Sequence, residues 1–320
     1  MNYLYAINFA PGFEELVVGL LKKAGVKIEL NEEGFALVEF SKRVTSPELG
    51  FAKSIIEVFS QSDDIPGLNL SLPNSFVAPE GYRFSIRSFE GNRPSKLDGE
   101  TRVEVIREVS LKTKLKYSAF EPDVDFIISK RKSGLCFFGM KLPVNKVKSE
   151  KGELHADVVS LLCELGNIKK GSKVLDAFAG HGGVSNTFLS NFEPISVVLV
   201  EKDSRLVNNL KPRFKSDKRA RVAASDVVNY LKSTEGNFDL IVADPPWGEF
   251  EDYVGDLGKL YAEFLRVAKA RVEPGGKIVM LSSKKEELEA AALASGMIVE
   301  ARLNVLISGK KVLVLKLSTN

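Results

Sequence analysis

The sequence Asp244-Pro245-Pro246-Trp247 joins a carboxylate, two rigid prolines and the single tryptophan of the chain. It directly follows the apolar run 240–243, which predicts a buried strand that ends at the acid. A hydrogen-bond acceptor beside a flat aromatic ring suits a flat substrate that carries an amino group, such as adenine, cytosine or guanine. A Pro-Pro pair can also simply end a strand, because proline fixes φ and lacks a backbone donor. The surrounding motifs must therefore show whether residues 244–247 form a catalytic motif or only end a strand.

Strand-like and helical segments alternate from residue 173 to residue 317, which predicts a parallel sheet covered by helices on both faces. The last two strands flank the short turn Ser308-Gly309-Lys310, which predicts an antiparallel hairpin at the sheet edge. The predicted strands are 173–177, 196–201, 220–224, 238–243, 277–282, 297–306 and 311–317.

A glycine-rich turn, residues 176–183, follows the first of these strands. Glycine lets a backbone approach a ligand closely, and open α/β sheets bind ligands beyond the carboxyl ends of their strands. The spacing matches neither a phosphate loop nor the GxGxxG fingerprint, so it favours an adenosyl ligand over a nicotinamide cofactor.

Acids also follow the second and third strands. Glu201 is placed to accept hydrogen bonds from both ribose hydroxyls of an adenosine ligand, although a solvated acid at a strand end is the alternative. Asp226 either contacts the adenine amino group or caps the helix that follows, and the sequence leaves both roles open.

Length and composition exclude several classes of protein. The 320 residues fit two or three domains, with a mean hydropathy of −0.03. No apolar run approaches the roughly 20 residues that span a bilayer, and the N-terminus lacks a basic leader, so we expect a cytoplasmic protein without membrane contact. Cys136 and Cys163 lie in apolar surroundings, and only His155 and His181 offer imidazoles, so neither a metal site nor a Ser-His-Asp triad is expected.

The positive charge is concentrated in the middle of the chain. Net charge is −5 over residues 1–80, +7 over 81–148 and +1 over the remainder. A solvated face is the usual explanation of such a run, but this excess also fits an electrostatic footprint for a phosphate backbone. The candidate RNA-binding residues are Arg83, Arg87, Lys112, Lys116, Lys130, Arg131 and Lys132.

The N-terminal half predicts two small α/β segments. The first contains strands 3–8, 27–30 and 35–40, with helices over 13–24 and near 47–60. After a connector over 61–79, the second contains strand 83–87, helix 100–116 and the paired strands 124–129 and 136–141.

The order of a glycine turn, two strand-end acids and an Asp-Pro-Pro-Trp motif resembles the Rossmann-like S-adenosylmethionine-dependent methyltransferases that act on exocyclic amines. Residues 154–157, Leu-His-Ala-Asp, are similar to the helix that leads into the cofactor site of THUMP-domain RNA methylases. Residues 10–16 resemble the opening of their ferredoxin-like domain, and 82–87 with 121–125 resemble a THUMP domain. The likeness spans nearly the whole chain.

The resemblance implies an α/β fold with three domains. These are a ferredoxin-like domain over 1–70, a THUMP RNA-binding domain over 71–148, and a Rossmann-like methyltransferase domain with a C-terminal antiparallel hairpin over 149–320. The implied reaction is methyl transfer from S-adenosylmethionine to the N2 amine of a guanosine in tRNA. The alternatives are an rRNA guanine-N2 methyltransferase, an N6-adenine methyltransferase and a catalytically silent RNA-binding protein. A monomer is expected, with the need for a partner subunit left open.

The resemblance also assigns site residues. Asp244 and the Pro245 carbonyl would accept the two N–H groups of the amine, an ordinary ionised Asp244 being sufficient, while Trp247 stacks on the base. The implied catalytic set is Asp244, Pro245, Pro246 and Trp247. The implied cofactor-binding set is His155, Asp176, Phe178, Ala179, Gly180, Gly182, Glu201, Lys202, Ser225, Asp226 and Asp244. The chain departs from the family pattern at Ala177, Ala179 and His181, which replace proline, cysteine and serine, and at Trp247, where tyrosine or phenylalanine is usual.

Overall fold

A computed structural model describes the chain except for residues 1, 45–48, 71, 74–75, 145–152, 194–195, 249–254 and 320. The chain divides into two compact units. The N-terminal unit comprises Met1–Phe9 and Glu14–Asn145, and the C-terminal unit comprises Ala10–Phe13 and Lys146–Asn320. Within the described ranges, none of the helices has the length and apolar character needed to cross a membrane.

The described residues of the N-terminal unit form a nine-stranded sheet with two helices. The strands are β1 (Tyr3–Asn8), β2 (Lys27–Glu32), β3 (Phe35–Phe40), β4 (Ser54–Ser62), β5 (Arg83–Glu90), β6 (Arg93–Ser95), β7 (Lys116–Tyr117), β8 (Val124–Lys130) and β9 (Cys136–Lys141), and the helices are α1 (Glu14–Lys23) and α2 (Gly99–Thr113). The strand order is β2-β3-β1-β4-β9-β8-β5-β6, with β7 paired to β5. Both predicted N-terminal segments therefore contribute strands to one sheet, and a domain boundary at residue 70 stays a prediction.

The helix predicted near 47–60 is wrong where the structure describes it. Its second half forms β4, which pairs with β1 on one side and β9 on the other. The β-branched residues Ile55, Ile56 and Val58 are buried there, and such side chains pack well on a pleated sheet. The first two residues of the predicted helix, 47–48, lie outside the described residues.

Helix α2 ends three residues before the predicted position. Its N-cap is Asp98, whose carboxylate accepts a hydrogen bond from the Thr101 backbone N–H at 2.9 Å. At the other end Lys114 adopts a left-handed φ of 60°, which stops the helix. Lys116 therefore begins β7 instead of extending the helix.

The C-terminal unit is a seven-stranded sheet with helices. Its elements are α3 (Ala156–Leu165), β10 (Lys173–Asp176), α4 (Gly183–Asn191), β11 (Ser196–Glu201), α5 (Ser204–Phe214), β12 (Ala220–Ala224), α6 (Val227–Ser233), β13 (Phe238–Ala243), α7 (Leu257–Ala268), β14 (Val272–Ser282), α8 (Lys285–Ser295), β15 (Ile298–Ile307) and β16 (Lys310–Ser318). The order is β12-β11-β10-β13-β14-β16-β15.

Strands β10 to β14 run parallel, as the alternation of strands and helices predicts. The runs 197–200 and 240–243 are buried, because parallel strands have helices on both faces. The chain moves from β10 outward to β11 and β12 and then returns to β13 on the other side of β10. This reversal opens a crevice at the carboxyl ends of β10 and β13, where α/β sheets bind ligands.

The predicted C-terminal hairpin is confirmed. Strand β16 pairs antiparallel with both β14 and β15, and Ile307 faces Lys310 across the turn. The turn residues Ser308 and Gly309 have φ angles of 50° and 82°. Two consecutive positive φ values define the tight turn whose twist matches a hairpin, so the tip is short and rigidly connected to both strands.

Candidate active site

A cavity of about 1140 Å³ lies at the carboxyl end of the C-terminal sheet. The segments that follow β10, β11, β12 and β13 all contribute to its lining, as does the hairpin tip. The predicted site residues that line it are His155, Phe178, Ala179, Gly180, Glu201, Lys202, Ser225, Asp226, Asp244, Pro245, Pro246 and Trp247. The structure therefore brings together most of the residues that the sequence singled out.

The glycine turn is held against the strand ends by backbone hydrogen bonds. The Ala177 N–H donates to the Val242 carbonyl and the Ala179 N–H to the Val200 carbonyl, both at 2.9 Å. Gly180 has a left-handed φ of 55°, and a Cβ added there would meet no atom within 4 Å. The turn thus exposes backbone to the cavity at Gly180, which suits close approach of a ligand.

Gly182, which was predicted to bind the cofactor, lies next to the cavity but is absent from its lining. It caps α4 with a φ of 93°, and a Cβ at this position would lie 2.7 Å from the Phe214 ring. Glycine is needed at residue 182 for the backbone turn and for the packing of α5.

Glu201 lies at the cavity wall, where two backbone N–H groups hold its carboxylate. Its Oε2 accepts a hydrogen bond from the Gly180 N–H at 2.9 Å and its Oε1 accepts one from the Asp203 N–H at 2.8 Å. A carboxylate offers about four acceptor positions, so two hydroxyl donors can still be bound. Lys202, the next residue, is exposed at the cavity wall.

Asp226 fulfils the capping role and also lines the cavity. Its Oδ1 accepts hydrogen bonds from the Val228 N–H at 2.9 Å and the Asn229 N–H at 3.3 Å, at the start of α6. The other carboxylate oxygen, Oδ2, would therefore accept any hydrogen bond from an adenine amino group. Ser225 precedes it on the same wall, where its hydroxyl donates to the Asp226 carbonyl.

Asp176 lies behind the cavity wall instead of on it, so its predicted direct contact with a cofactor is not matched. It is 1% exposed, and its Oδ2 accepts hydrogen bonds from the Ser185 backbone N–H at 3.1 Å and hydroxyl at 2.7 Å. Burial raises the pKa of Asp176 to about 7, against the effect of the Ser185 hydrogen bonds and with the help of Glu201 and Glu153. The hydrogen bonds between Asp176 and Ser185 connect β10 to α4. The Asp176 carboxyl is thus a second acid behind the cavity wall.

Asp244 is partly exposed and lines the cavity. Protein atoms nonetheless surround its carboxyl densely, so desolvation is the main cause that raises its pKa to about 7. The negative charge of Asp176 acts in the same direction, while the indole N–H of Trp247 acts in the opposite one. The sequence-based expectation of an ordinary ionised aspartate is therefore corrected, because a large fraction of Asp244 is protonated near neutral pH.

The backbone of the motif is held at Pro246 by a tyrosine that sequence reasoning missed. The Tyr261 hydroxyl donates to the Pro246 carbonyl at 2.8 Å and lies 2.9 Å from the Ser282 hydroxyl. Both Tyr261 and Ser282 are fully buried. In the sequence Tyr261 is indistinguishable from the apolar core positions of α7, and only its need for a polar partner hints at this role.

Trp247 directs a buried indole N–H towards Asp244. This N–H lowers the pKa of the Asp244 carboxyl, although within the described part of the chain no acceptor meets the Trp247 Nε1 with full hydrogen-bond geometry. The Lys310 ammonium lies 5.8 Å from the centre of the Trp247 ring.

Two more residues support the site without a sequence signal. Glu153 is 3% exposed, forms an ion pair with Arg213 at 2.9 Å and lines the cavity. The same Arg213 guanidinium donates to the His181 carbonyl in the glycine turn. Arg213 thus holds the backbone of the glycine turn at His181, a residue that departs from the family pattern and lines the cavity.

The donor set fits an adenosyl sulfonium ligand. Glu201 suits the ribose, Asp226 suits the adenine amine, and the acids Glu153 and Asp244 at the cavity provide negative charge for a cation. No group of three or more His, Cys, Asp or Glu residues with metal-binding geometry occurs in the residues that the structure describes.

The seven predicted RNA-binding residues do not form one patch. Arg83 and Lys116 are exposed neighbours on β5 and β7. Arg87 forms an ion pair with Asp125 at 3.0 Å. Lys112 on α2 lies 3.6 Å from the Glu108 carboxylate.

Lys130 and the residues after it lie at the other end of β5, opposite Glu90. Seven residues of strand separate that end from Arg83, or roughly 23 Å at about 3.3 Å per residue. Lys132 is exposed there and pairs with Glu33 at 2.9 Å.

Arg131 is a core residue and not an RNA contact, which corrects the prediction. It is 4% exposed, its guanidinium lies 3.6 Å from the centre of the Phe35 ring, and it pairs with Glu32 at 3.0 Å. It also donates to the Gly91 carbonyl at 2.7 Å. The arginine is buried because the stacked ring and the acid replace its contacts with water.

Comparison with known proteins confirms the class of S-adenosylmethionine-dependent methyltransferase that the sequence predicts. Residues 194–312 match the family model UPF0020, which describes an RMKL-like methyltransferase domain. The α/β, Rossmann-like character of the fold is thereby confirmed.

Individual proteins show more specific similarities to this chain. The chain is 25% identical over 260 residues to a tRNA (guanine(10)-N2)-dimethyltransferase of Methanothermobacter thermautotrophicus, covering 77% of this chain and 76% of the relative. Over 102 residues it is 30% identical to the ribosomal RNA large subunit methyltransferase K/L of Chromohalobacter salexigens, covering 31% and 13% of the two chains. The crystal structure of TrmN from Thermus thermophilus superposes with a TM-score of 0.78 at 20% identity, covering 99% and 100%.

Proposed function

We propose that this protein transfers a methyl group from S-adenosylmethionine to the exocyclic N2 amine of a guanosine in tRNA. The observation that carries the proposal is that Asp244, Pro245 and Trp247 line the same cavity as Glu201, the acid predicted to bind a ribose. The similarity to a tRNA guanine-N2-dimethyltransferase over three quarters of both chains supports tRNA as the substrate. The protein would act in the cytoplasm as a monomer.

The N-terminal unit supplies the tRNA contacts in this proposal. Its segments 1–70 and 71–148 correspond to a ferredoxin-like domain and a THUMP domain. With Arg131 in the core, the exposed cations Arg83 and Lys116 on adjacent strands are the strongest remaining candidates for phosphate contacts. Lys130 and Lys132 would contribute a separate contact at the other end of β5.

The site residues position the amine for attack. The lone pair of a guanine N2 amine is delocalised into the ring, so the amine must be reoriented before it can act as a nucleophile. Asp244 and the Pro245 carbonyl accept its two N–H groups and thereby direct the lone pair into the cavity. The hydrogen bond from Tyr261 to the Pro246 carbonyl keeps this backbone in place. Trp247 stacks on the base once it has left its helix, which offsets a few kcal/mol of unstacking.

When bound, S-adenosylmethionine supplies an electrophilic methyl group on a positively charged sulfonium. Glu201 and the exposed Gly180 backbone hold the adenosine, and Asp226 faces its base. The raised pKa of Asp244 makes this carboxylate a better acceptor for the proton that the methylated amine loses. A bound sulfonium cation would also favour the ionised form of Asp244, because opposite charges at short range stabilise each other.

Nucleoside mass spectrometry of tRNA after incubation with an isotope-labelled methyl donor tests the proposal. We expect labelled N2-methylguanosine, and we expect Asp244→Asn to abolish it, because the carboxylate that accepts an N–H of the amine is lost. The exposed and remote Glu263→Gln variant is the matched carboxylate control, because Glu263 pairs with Lys232 on the helix surface. Label in N6-methyladenosine, in DNA alone or in ribosomal RNA alone would overturn the assignment.

A further inference from the structure

The tip of the β15–β16 hairpin forms one wall of the methyltransferase cavity. Ile307, Ser308 and Lys310 all line it, together with Trp247. The two-residue turn has positive φ at both positions, and β16 continues from it into the buried run 312–315. Lys310 therefore begins a strand whose next residues are packed in the core of the sheet.

The Lys310 ammonium is placed against the ring on which a target base would stack. Its Nζ lies 5.8 Å from the centre of the Trp247 ring, within the range of about 6 Å for a cation–π contact. A base that stacks on the indole carries its ribose and phosphate past the ring edge. An ammonium at this position can meet that phosphate while the base stays in contact with the ring.

The acids around the cavity favour a cation beside Trp247. Glu153, Glu201, Asp226 and Asp244 line the cavity and repel a phosphate, while Lys202, Arg205 and Lys310 also line it. Lys202 and Arg205 follow β11, whereas Lys310 lies at the hairpin tip, close to the Trp247 ring. Among these cations, Lys310 is therefore the one placed to neutralise the phosphate of a nucleotide whose base reaches Asp244.

We propose that Lys310 binds the phosphate of the nucleotide whose base stacks on Trp247, so that the hairpin tip selects a nucleotide within a polynucleotide over a free nucleoside. The inference rests on the proposed function, because it assumes that a base occupies the Trp247 face. It adds a substrate-binding residue from the last strand of the chain to the motif that follows β13.

Steady-state kinetics on tRNA with Lys310→Gln test the inference. We expect KM for tRNA to rise about tenfold, kcat to change less than twofold, and the dependence of kcat/KM on salt to weaken by about one phosphate contact. The dissociation constant for S-adenosylmethionine should stay unchanged. Lys311→Gln is the matched control, because Lys311 is exposed and is absent from the cavity lining. Lys310→Arg should restore most of the lost affinity.

A spectroscopic measurement separates phosphate binding from support of the indole ring. Since the chain contains one tryptophan, intrinsic fluorescence reports on Trp247 alone. In the wild type, guanosine 3′- or 5′-monophosphate should bind about tenfold more tightly than guanosine, and the preference should vanish in Lys310→Gln. A lysine that merely supports the ring would weaken nucleotide and nucleoside equally.

The outcomes distinguish the two proposals. If the wild type forms N2-methylguanosine in tRNA but Lys310→Gln keeps its KM and salt dependence, the role of Lys310 is wrong and the proposed function stands. An equal effect of Lys311→Gln also overturns the inference, since it would indicate general surface charge. If tRNA is not methylated at all, both proposals fail.

Discussion

Replacing Asp176 with asparagine should shift the pH dependence of catalysis without touching the substrate. Asp176 lies behind the cavity, and its charge is one of the two causes that raise the pKa of Asp244 to about 7. An amide keeps the shape of the side chain and can still accept the hydrogen bond from the Ser185 N–H. The variant therefore removes a negative charge with little change in packing.

The size of the shift follows from the pKa of Asp244. Its rise from 3.8 to about 7 corresponds to roughly 4 kcal/mol of disfavoured ionisation. Burial contributes the largest part, so the share of Asp176 is below about 2 kcal/mol, or about 1.5 pH units. Since Asp176 also titrates near 7, it is mostly protonated and uncharged at pH 6, so its charge opposes the ionisation of Asp244 chiefly near and above pH 7. We expect Asp176→Asn to shift this part of the titration towards acid by less than about 1 unit, which raises the ionised fraction of Asp244 by up to about twofold near pH 7.

The assay is kcat/KM for tRNA methylation between pH 5.5 and pH 8.5, which reports the ionisation of the free enzyme. The wild type should lose activity below about pH 7, and Asp176→Asn should be up to about twofold more active than the wild type between about pH 7 and pH 8 but equal to it at pH 5.5. Glu263→Gln should keep the wild-type profile. Superimposable profiles of wild type and Asp176→Asn, or a shift towards alkaline pH, would refute the electrostatic coupling of the two acids.

Three further perturbations test other parts of the structure. Folding raises the pKa of Asp244, so its ionisation opposes folding increasingly from about pH 4 to pH 7; Asp244→Asn should therefore raise Tm by a few degrees at pH 8 and by much less at pH 4, as calorimetry can show. Glu201→Gln should weaken S-adenosylmethionine binding by about tenfold to a hundredfold in titration calorimetry, because an ionic acceptor for hydroxyl groups is lost. Arg131→Met should destabilise the N-terminal unit by about 3–5 kcal/mol in urea unfolding, because Glu32 is left buried without its partner, whereas Lys132→Ala should cost below about 0.5 kcal/mol.

Each of these predictions has an outcome that contradicts it. A gain in Tm for Asp244→Asn that is equal at both pH values would mean that packing and not charge is responsible. An unchanged affinity of Glu201→Gln would remove the acid from the cofactor site. Equal stability effects of Arg131→Met and Lys132→Ala would contradict the burial of the arginine.

The C-terminal sheet could be predicted closely because its signals are local. The apolar runs 196–201 and 238–243 are each bounded by acids or prolines, and the structure reproduces both ranges as β11 and β13. Once these strands are parallel, their carboxyl ends must meet, so the convergence of Glu201, Asp226 and Asp244 follows from topology alone.

The wrong predictions concern segments whose structure is determined by residues distant in the chain. Ile55 and Ile56 belong to a strand because β1 and β9 pair with it, and β9 lies more than seventy residues later in the chain. Arg131 is buried by an acid 99 residues away, although its charge and its basic neighbours suggest the surface. Neither tertiary contact leaves a local pattern, and tertiary pairing overrides propensity in both cases.

One carboxyl in the site is difficult to ionise unless a ligand is bound. Ionising Asp244 is opposed by burial and by Asp176. A cationic ligand such as a sulfonium would compensate this cost, whereas a neutral thioether would not. The same carboxylate that positions the amine therefore favours the charged cofactor over its spent form, which helps the site exchange one for the other.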